Sequence, residues 1–173
     1  VKAPRPGCVK TRMVPPWSQE QAAHFASCLL DDALEVSARA AAPLDLEVLL
    51  YVDPPDSLAE FESRLRGLRG PAAMEFCVRA QRGATLGERM GQALTEAGGG
   101  GASTRPLLLR GCDSPTLSEE TLAEALEALD RVDLVLRPDA DGGYSLVALR
   151  TAPADLFDHS MGHPEVLAET QAR

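Results

Sequence analysis

The sequence predicts an α/β fold: one three-layer α/β/α domain around a Rossmann-like, mostly parallel sheet. Short apolar runs alternate with amphipathic stretches of helical length, the pattern of right-handed βαβ units. The clearest run, LEVLLYV at 46–52, is almost wholly apolar and stops at Asp53-Pro54-Pro55, as a strand buried on both faces does. Composition agrees. Hydrophobic residues make up 45% and aromatics only 4% of 173 residues, so the core is mostly Leu, Val and Ala, which suits helices packed on a sheet. That length fits one domain with a full core.

The elements follow in order. Residues 1–17 read as a loop, with Pro4, Pro6, Gly7, Pro15 and Pro16. Ser18 is placed to cap a helix with Glu20 in its first turn, and Ala22, Phe25, Ala26, Leu29, Ala33 and Val36 keep helical spacing to about Ala42. After the 46–52 strand come a short helix at 57–66 and an alternating strand, MEFCVRA, at 74–80. TLGERMGQALTEA at 85–97 is a helix, closed by Gly98 to Gly101. PLLLRG is a strand, and Ser118–Leu129 is a helix with Leu122, Ala125, Leu126 and Leu129 on one face. VDLVLR at 132–137 and YSLVALR at 144–150 are further strands, and a short helix at 164–170 ends the chain. Val1 and Lys2 stand at what reads as a strand-to-loop junction. The expectation is therefore a single domain over 1–173 whose first strand precedes Val1.

A formal net charge of −9 argues against a general nucleic-acid or acidic-membrane binder. Yet Lys2, Arg5, Lys10 and Arg12 crowd the first twelve residues with no acid among them. A cationic loop on an acidic protein points to a small anion such as a phosphate; the competing reading is a solvated, frayed terminus. Cys8, Cys28, Cys77 and Cys112 show no metal-like spacing and read as reduced, mostly buried thiols of a cytoplasmic protein. No apolar run approaches the roughly 18 residues a membrane span needs.

Ligands of open α/β sheets bind at the carboxyl ends of strands, and four stretches fall there. In KAPRPGCVKTR, 2–12, Gly7 permits a tight loop, and Lys2, Lys10 and Arg12 supply the donors a diphosphate needs. The spacing is neither G-x-x-x-x-G-K-[ST] nor G-x-G-x-x-G. In QRGATLGERM, 81–90, Gln81, Gly83 and Gly87 lead into a helix N-terminus that favours an anion, with Arg89 in reach of one. Judged alone, an ordinary helix start is the stronger reading of that stretch.

In LLLRGCDSP, Gly111 lets a ligand approach the backbone, and Asp113 stands at the strand end. A hard divalent cation takes one or two such carboxylates plus phosphate oxygens and water. Asp113 could instead cap its own turn, but Thr116 and Ser118 are at hand for capping, so the metal reading is preferred. In DADGGYSLVAL, 139–149, Asp141 precedes Gly142, Gly143 and Tyr144, which allow close approach of a sugar or acceptor. Alone, Asp-Gly-Gly is a good hairpin turn, and that is the stronger reading.

His159 and His163 are four apart, but Gly162 and Pro164 oppose a helix there, so the spacing does not make a metal pair. His24 reads as a surface histidine and Trp17 as an anchor of the loop on the core. Ser114 lacks a G-x-S-x-G frame, and Cys112 reads as packing.

In this order the stretches resemble a known family: small bacterial nucleotide-diphospho-sugar transferase-like proteins with a glycosyltransferase-A fold, associated with radical-SAM and selenium-related genes. Its motifs run Lys-x-Pro-x-Pro-Gly-x-Val-Lys-Thr-Arg, Gln-x-Gly-x-x-Leu-Gly-x-Arg-Met, Gly-x-Asp-Ser-Pro and Asp-Gly-Gly-Tyr-x-Leu. Here they are Lys2 to Arg12, Gln81 to Met90, Gly111 to Pro115, and Asp141 to Leu146. The chain is more distantly similar to 2-phospho-lactate and molybdenum-cofactor guanylyltransferases. The resemblance implies Mg²⁺ or Mn²⁺ held by Asp113 on a nucleotide diphosphate, with Lys10 and Arg12 near the phosphates. It also implies Asp141 as a second metal ligand or acid/base near the acceptor. Departures lie toward the C-terminus: Arg137 and Asp139 before Asp-Gly-Gly-Tyr, Ala148 for a usual Gly, and Met161-Gly162-His163 where Trp-x-Thr is usual.

The leading expectation is a metal-dependent transferase with a nucleotide-activated donor, transferring a glycosyl group from a nucleotide-diphospho-sugar to a small-molecule acceptor. Asp113, Asp141 and Lys10 would be catalytic. The rivals are a nucleotidyltransferase releasing pyrophosphate and a nucleotide-binding module without turnover.

Overall fold

A computed structural model describes residues 1–67, 76–101, 105–151 and 155–173. The chain forms two compact units. The first holds Val1–Gln81 and Cys112–Glu119, and the second Arg82–Gly111 and Glu120–Arg173.

In the first unit, helix α1 spans Gln19–Ala41. Its start is where Ser18 predicts it: the Ser18 hydroxyl accepts from the Gln21 N–H, and the Gln21 side chain accepts from the Ser18 N–H. This reciprocal cap satisfies two otherwise orphaned donors. The apolar face of α1 meets strand β1, Val48–Val52, and helix α2, Leu58–Gly67. Leu30, Leu34, Leu50, Val52, Phe61 and Leu65 form the core there, with Ala3 beside them. Strand β2, Phe76–Ala80, pairs parallel with β1 in the register Val48↔Phe76 to Val52↔Ala80. The predicted start of that strand, Met74-Glu75, lies outside the described residues. Residues 1–3 run along the other edge of β1: the Ala3 N–H donates to the Asp53 carbonyl, and the Asp53 N–H to the Val1 carbonyl, both at 2.8 Å. The N-terminus is therefore held, not frayed.

In the second unit, helix α3 spans Leu86–Ala97, and helix α4, begun at Glu119 of the first unit, runs to Ala128. Strands β3 (Leu107–Arg110), β4 (Leu134–Pro138) and β5 (Tyr144–Leu149) form a sheet in the order β3-β5-β4. Both pairings are antiparallel. The parallel pairing expected of the sheet is that of the first unit, and the pairings of the second are antiparallel. For β4 and β5 the physical reason is the connection. Only Asp139–Gly143 joins β4 to β5, and a parallel pair needs a crossover of about a dozen residues or more. Asp-Gly-Gly is the hairpin turn: the Asp139 N–H donates to the Gly143 carbonyl at 2.9 Å, and the Gly142 N–H to the Asp139 carbonyl at 3.2 Å. Leu94, Val147, Leu149, Leu156 and Phe157 form this unit's core. The last helix, α5, is Val166–Gln171.

No described helix is long and apolar enough to cross a membrane. All four cysteines are free. Cys8 and Cys28 are exposed, which corrects the expectation of mostly buried thiols.

Candidate functional site

In the first unit the cationic loop leaves from the carboxyl end of β1. Lys2 bridges Asp53 there, and the Gln81 N–H extends the β2 ladder to the Val52 carbonyl at 2.8 Å. Gly7 takes a positive φ of 76° in the turn that follows. Lys10 is the unusual residue. Its backbone is left-handed, φ 49° and ψ 33°, at the head of a 3-10 turn over Thr11–Met13. A residue with a Cβ enters that region at a cost of about 1–2 kcal/mol.

That conformation accompanies a defined contact. Lys10 Nζ lies 3.0 Å from Asp113 Oδ2 and 6.0 Å from the centre of the Phe25 ring. Phe25 is in turn held edge-to-face by Trp17, with ring centres 5.2 Å apart. Trp17 thus anchors the loop as expected. The Lys10 side chain is only 23% exposed, whereas Asp113 is 66% exposed. An ammonium with a covered stem therefore meets a carboxylate that faces water. Behind Asp113, the Cys112 thiol packs on the apolar core and sits 3.7 Å from Asp113 Oδ1. Burial, and then the neighbouring carboxylate, push that thiol above its ordinary range, so it is a poor nucleophile.

Not every cation of the loop is available. Arg5 pairs with Asp56 at 3.5 Å and Glu60 at 3.3 Å, tying the loop to the segment that opens α2. Lys2 and Arg12 are exposed, and neither has an ion-pair partner among the described residues.

The second unit holds the other sequence-predicted residues, and its glycines are engaged by the protein itself. A Cβ on Gly87 would lie 2.3 Å from the Phe157 carbonyl oxygen, and one on Gly83 2.9 Å from the Arg89 nitrogen. The start of α3 is already capped. Glu88 Oε2 accepts from the Ala84 N–H at 2.7 Å, and Thr85 Oγ1 accepts from the Glu88 N–H at 3.2 Å. Arg89 Nε donates to the Gly83 carbonyl at 3.0 Å. In the β4–β5 turn, Asp141 Oδ1 accepts from the Gly143 N–H at 3.0 Å. Gly142, at φ 84°, has the Pro164 carbonyl oxygen 2.0 Å from where its Cβ would stand. Tyr144 meets Thr170 through its hydroxyl at 3.3 Å, and partial burial raises its phenol above the ordinary range.

One constellation was missed by sequence reasoning. His159, His163 and Glu169 bring ligand atoms within 4.8 Å of one another. No helix carries the two histidines, as expected. A loop with Gly162 at φ 85° and the following helix α5 assemble them instead. Helical spacing carries no trace of them, because a loop brings the two histidines together.

The donor set at Asp113 suits a hard cation. It offers one exposed carboxylate, and such a cation takes its remaining ligands from phosphate oxygens and water.

Comparison with known proteins bears out the resemblance drawn from the motifs. The chain is similar to a protein from Desulfovibrio desulfuricans G20, provisionally described as a nucleotide-diphospho-sugar transferase, whose crystal structure is known. They share 30% identity with a TM-score of 0.81, over 99% of this chain and 71% of that chain. The fold class is accordingly α/β, of the nucleotide-diphospho-sugar transferase type. No curated protein matches the chain. The family described as an uncharacterized protein conserved in bacteria (DUF2064) matches residues 36–161. With that match over well more than half of its length, the chain belongs to the DUF2064 family.

Proposed function

We propose that this protein is a metal-dependent transferase with a nucleotide-activated donor, moving a glycosyl group from a nucleotide-diphospho-sugar to a small acceptor. The observation that carries the reading is the Lys10–Asp113 pair, 3.0 Å apart. A cation and a carboxylate meet there, the cation from a backbone that resists the conformation it takes. The similarity to a protein described as a nucleotide-diphospho-sugar transferase supports it.

Asp113 would hold Mg²⁺ or Mn²⁺ together with the donor's phosphate oxygens, and the ion would supply neutralisation of the diphosphate's charge. Lys10, already beside Asp113, binds the same diphosphate and stabilises the negative charge left on it when the sugar departs. Arg12 and Lys2 add cationic donors from the exposed part of the loop, and Gly7 and Gln81 border the nucleotide. Gly83, Gly87 and Arg89 shape the start of α3, the second phosphate-side element of the proposal. Asp141, with Gly142, Gly143 and Tyr144, is assigned to the acceptor side as a metal ligand or acid/base. A location in the cytoplasm is part of the same reading.

The test is a panel of nucleotide sugars and nucleoside triphosphates with Mg²⁺ or Mn²⁺, assayed for the leaving group. Metal-dependent release of a nucleoside diphosphate, lost in Asp113→Asn, is the expected result. Release of pyrophosphate from a triphosphate would make the protein a nucleotidyltransferase. Binding without any release would make it a module without turnover.

A further inference from the structure

We propose that His159, His163 and Glu169 form a binding site for a zinc-like divalent cation within the second unit. The site stands independently of the transferase reading.

The ligand atoms lie close enough together to share one ion. His159 Nδ1 is 3.3 Å and His163 Nε2 is 3.6 Å from the same carboxylate oxygen, Glu169 Oε2. The Ser160 carbonyl oxygen lies 2.9 Å from His159 Nδ1 and 3.0 Å from His163 Nε2. Zinc binds imidazole nitrogen and carboxylate oxygen at about 2.0–2.2 Å in tetrahedral sites, which puts neighbouring ligands about 3.3–3.5 Å apart. Two nitrogens, a carboxylate oxygen and a carbonyl oxygen therefore converge before any ion arrives, and small shifts would bring them to that spacing. Imidazole with carboxylate selects a borderline transition metal such as Zn²⁺ over Mg²⁺ or Ca²⁺.

Hydrogen bonding points the same way. The His159 side chain is 5% exposed, and its Nε2 lies 3.0 Å from Thr170 Oγ1. The Thr170 hydroxyl also lies 2.8 Å from the Val166 carbonyl and 3.3 Å from the Tyr144 hydroxyl. His159 Nδ1 faces the Ser160 carbonyl and the Glu169 carboxylate, both oxygen ligands that a divalent cation takes. The bond from Nε2 to Thr170 is the outer contact that orients a metal-bound histidine. His163 must adapt. Its Nδ1 accepts from the Glu165 N–H at 3.3 Å, and binding through Nε2 moves the proton to Nδ1. The ring is 30% exposed and has room to turn.

The ion would fasten the loop at 159–163 to α5. That helix already supports the β4–β5 turn, since the Leu167 N–H donates to the Gly142 carbonyl at 3.0 Å. The site is thus structural for the turn that precedes β5.

The experiment is metal titration of the full chain. Zinc content is read after dialysis, thermal midpoint with and without Zn²⁺, and the visible spectrum with Co²⁺ as a reporter. We expect about one zinc per chain, a midpoint raised by zinc and a tetrahedral cobalt spectrum. His163→Ala and Glu169→Gln, at partly exposed positions that spare the core, should each weaken zinc binding roughly 10-fold or more. Asp113→Asn and Cys28→Ser should keep it. Zinc bound as tightly by His163→Ala and Glu169→Gln as by the parent would overturn the proposal. So would a parent chain that takes up no zinc, which would leave hydrogen bonding with Ser160 and Thr170 as the reason for the cluster.

Discussion

Replacing Lys10 with glycine separates a functional role from a structural one. Lys10 holds φ 49°, and glycine removes a penalty of about 1–2 kcal/mol there. Glycine's larger freedom in the unfolded chain takes back about 0.4–1 kcal/mol. The ion pair with Asp113, whose side chain is 66% exposed, contributes at most about 1 kcal/mol. The ammonium over Phe25, 6.0 Å from the ring centre, adds about 0.5 kcal/mol. These nearly cancel, so Lys10→Gly should unfold within about 1 kcal/mol of the parent, a midpoint shift of no more than about 4 °C. Ligand binding should behave otherwise. A lost charge-assisted hydrogen bond costs about 1.5–3 kcal/mol, or roughly 10- to 150-fold in affinity for a nucleoside diphosphate with Mn²⁺. Calorimetric titration and thermal unfolding of the same variant check both. A midpoint drop of about 8 °C with unchanged nucleotide affinity would refute the reasoning, because it would make Lys10 a structural brace.

Gly142→Ala should destabilise by about 3 kcal/mol or more, since its Cβ would stand 2.0 Å from the Pro164 carbonyl oxygen at φ 84°. Gly99→Ala, at φ 60° with open space around it, should cost only about 1–2 kcal/mol, and equal losses in thermal melts would contradict the packing argument. Gly87→Ala should also melt early, because Phe157 occupies the space of its side chain. Cys112, with its thiol pushed up by burial, should alkylate far more slowly than the exposed Cys8 and Cys28, as peptide mass spectrometry would read. Its folded-state value is raised, so the native chain keeps that proton longer than the unfolded one. The stability it contributes is present below the thiol's ordinary range and is lost as pH rises through the raised value.

Much of the fold was legible because its signals are local. Ser18 with Gln21 writes the start of α1 into four residues, and Thr85 with Glu88 does the same for α3. LEVLLYV marks β1 because a buried strand must be apolar on both faces. Of the candidate site, the Lys10–Asp113 pair was legible as two separate motifs with matching charge. The use of Gly83, Gly87 and Gly142 was not. A glycine in sequence says only that a side chain is excluded, and here the excluding atoms are Arg89, Phe157 and Pro164.

By itself the sequence determined where the helices and strands lie, the cationic character of the first loop and the likeness to nucleotide-diphospho-sugar transferase-like proteins. Each rests on residues near one another or in a fixed motif order. Tertiary structure alone decided the place of β3 beside β5, the contact of Lys10 with a carboxylate far along the chain, and the meeting of His159, His163 and Glu169. Periodicity specifies which face of an element is buried. It carries no information on which distant atoms that burial brings together.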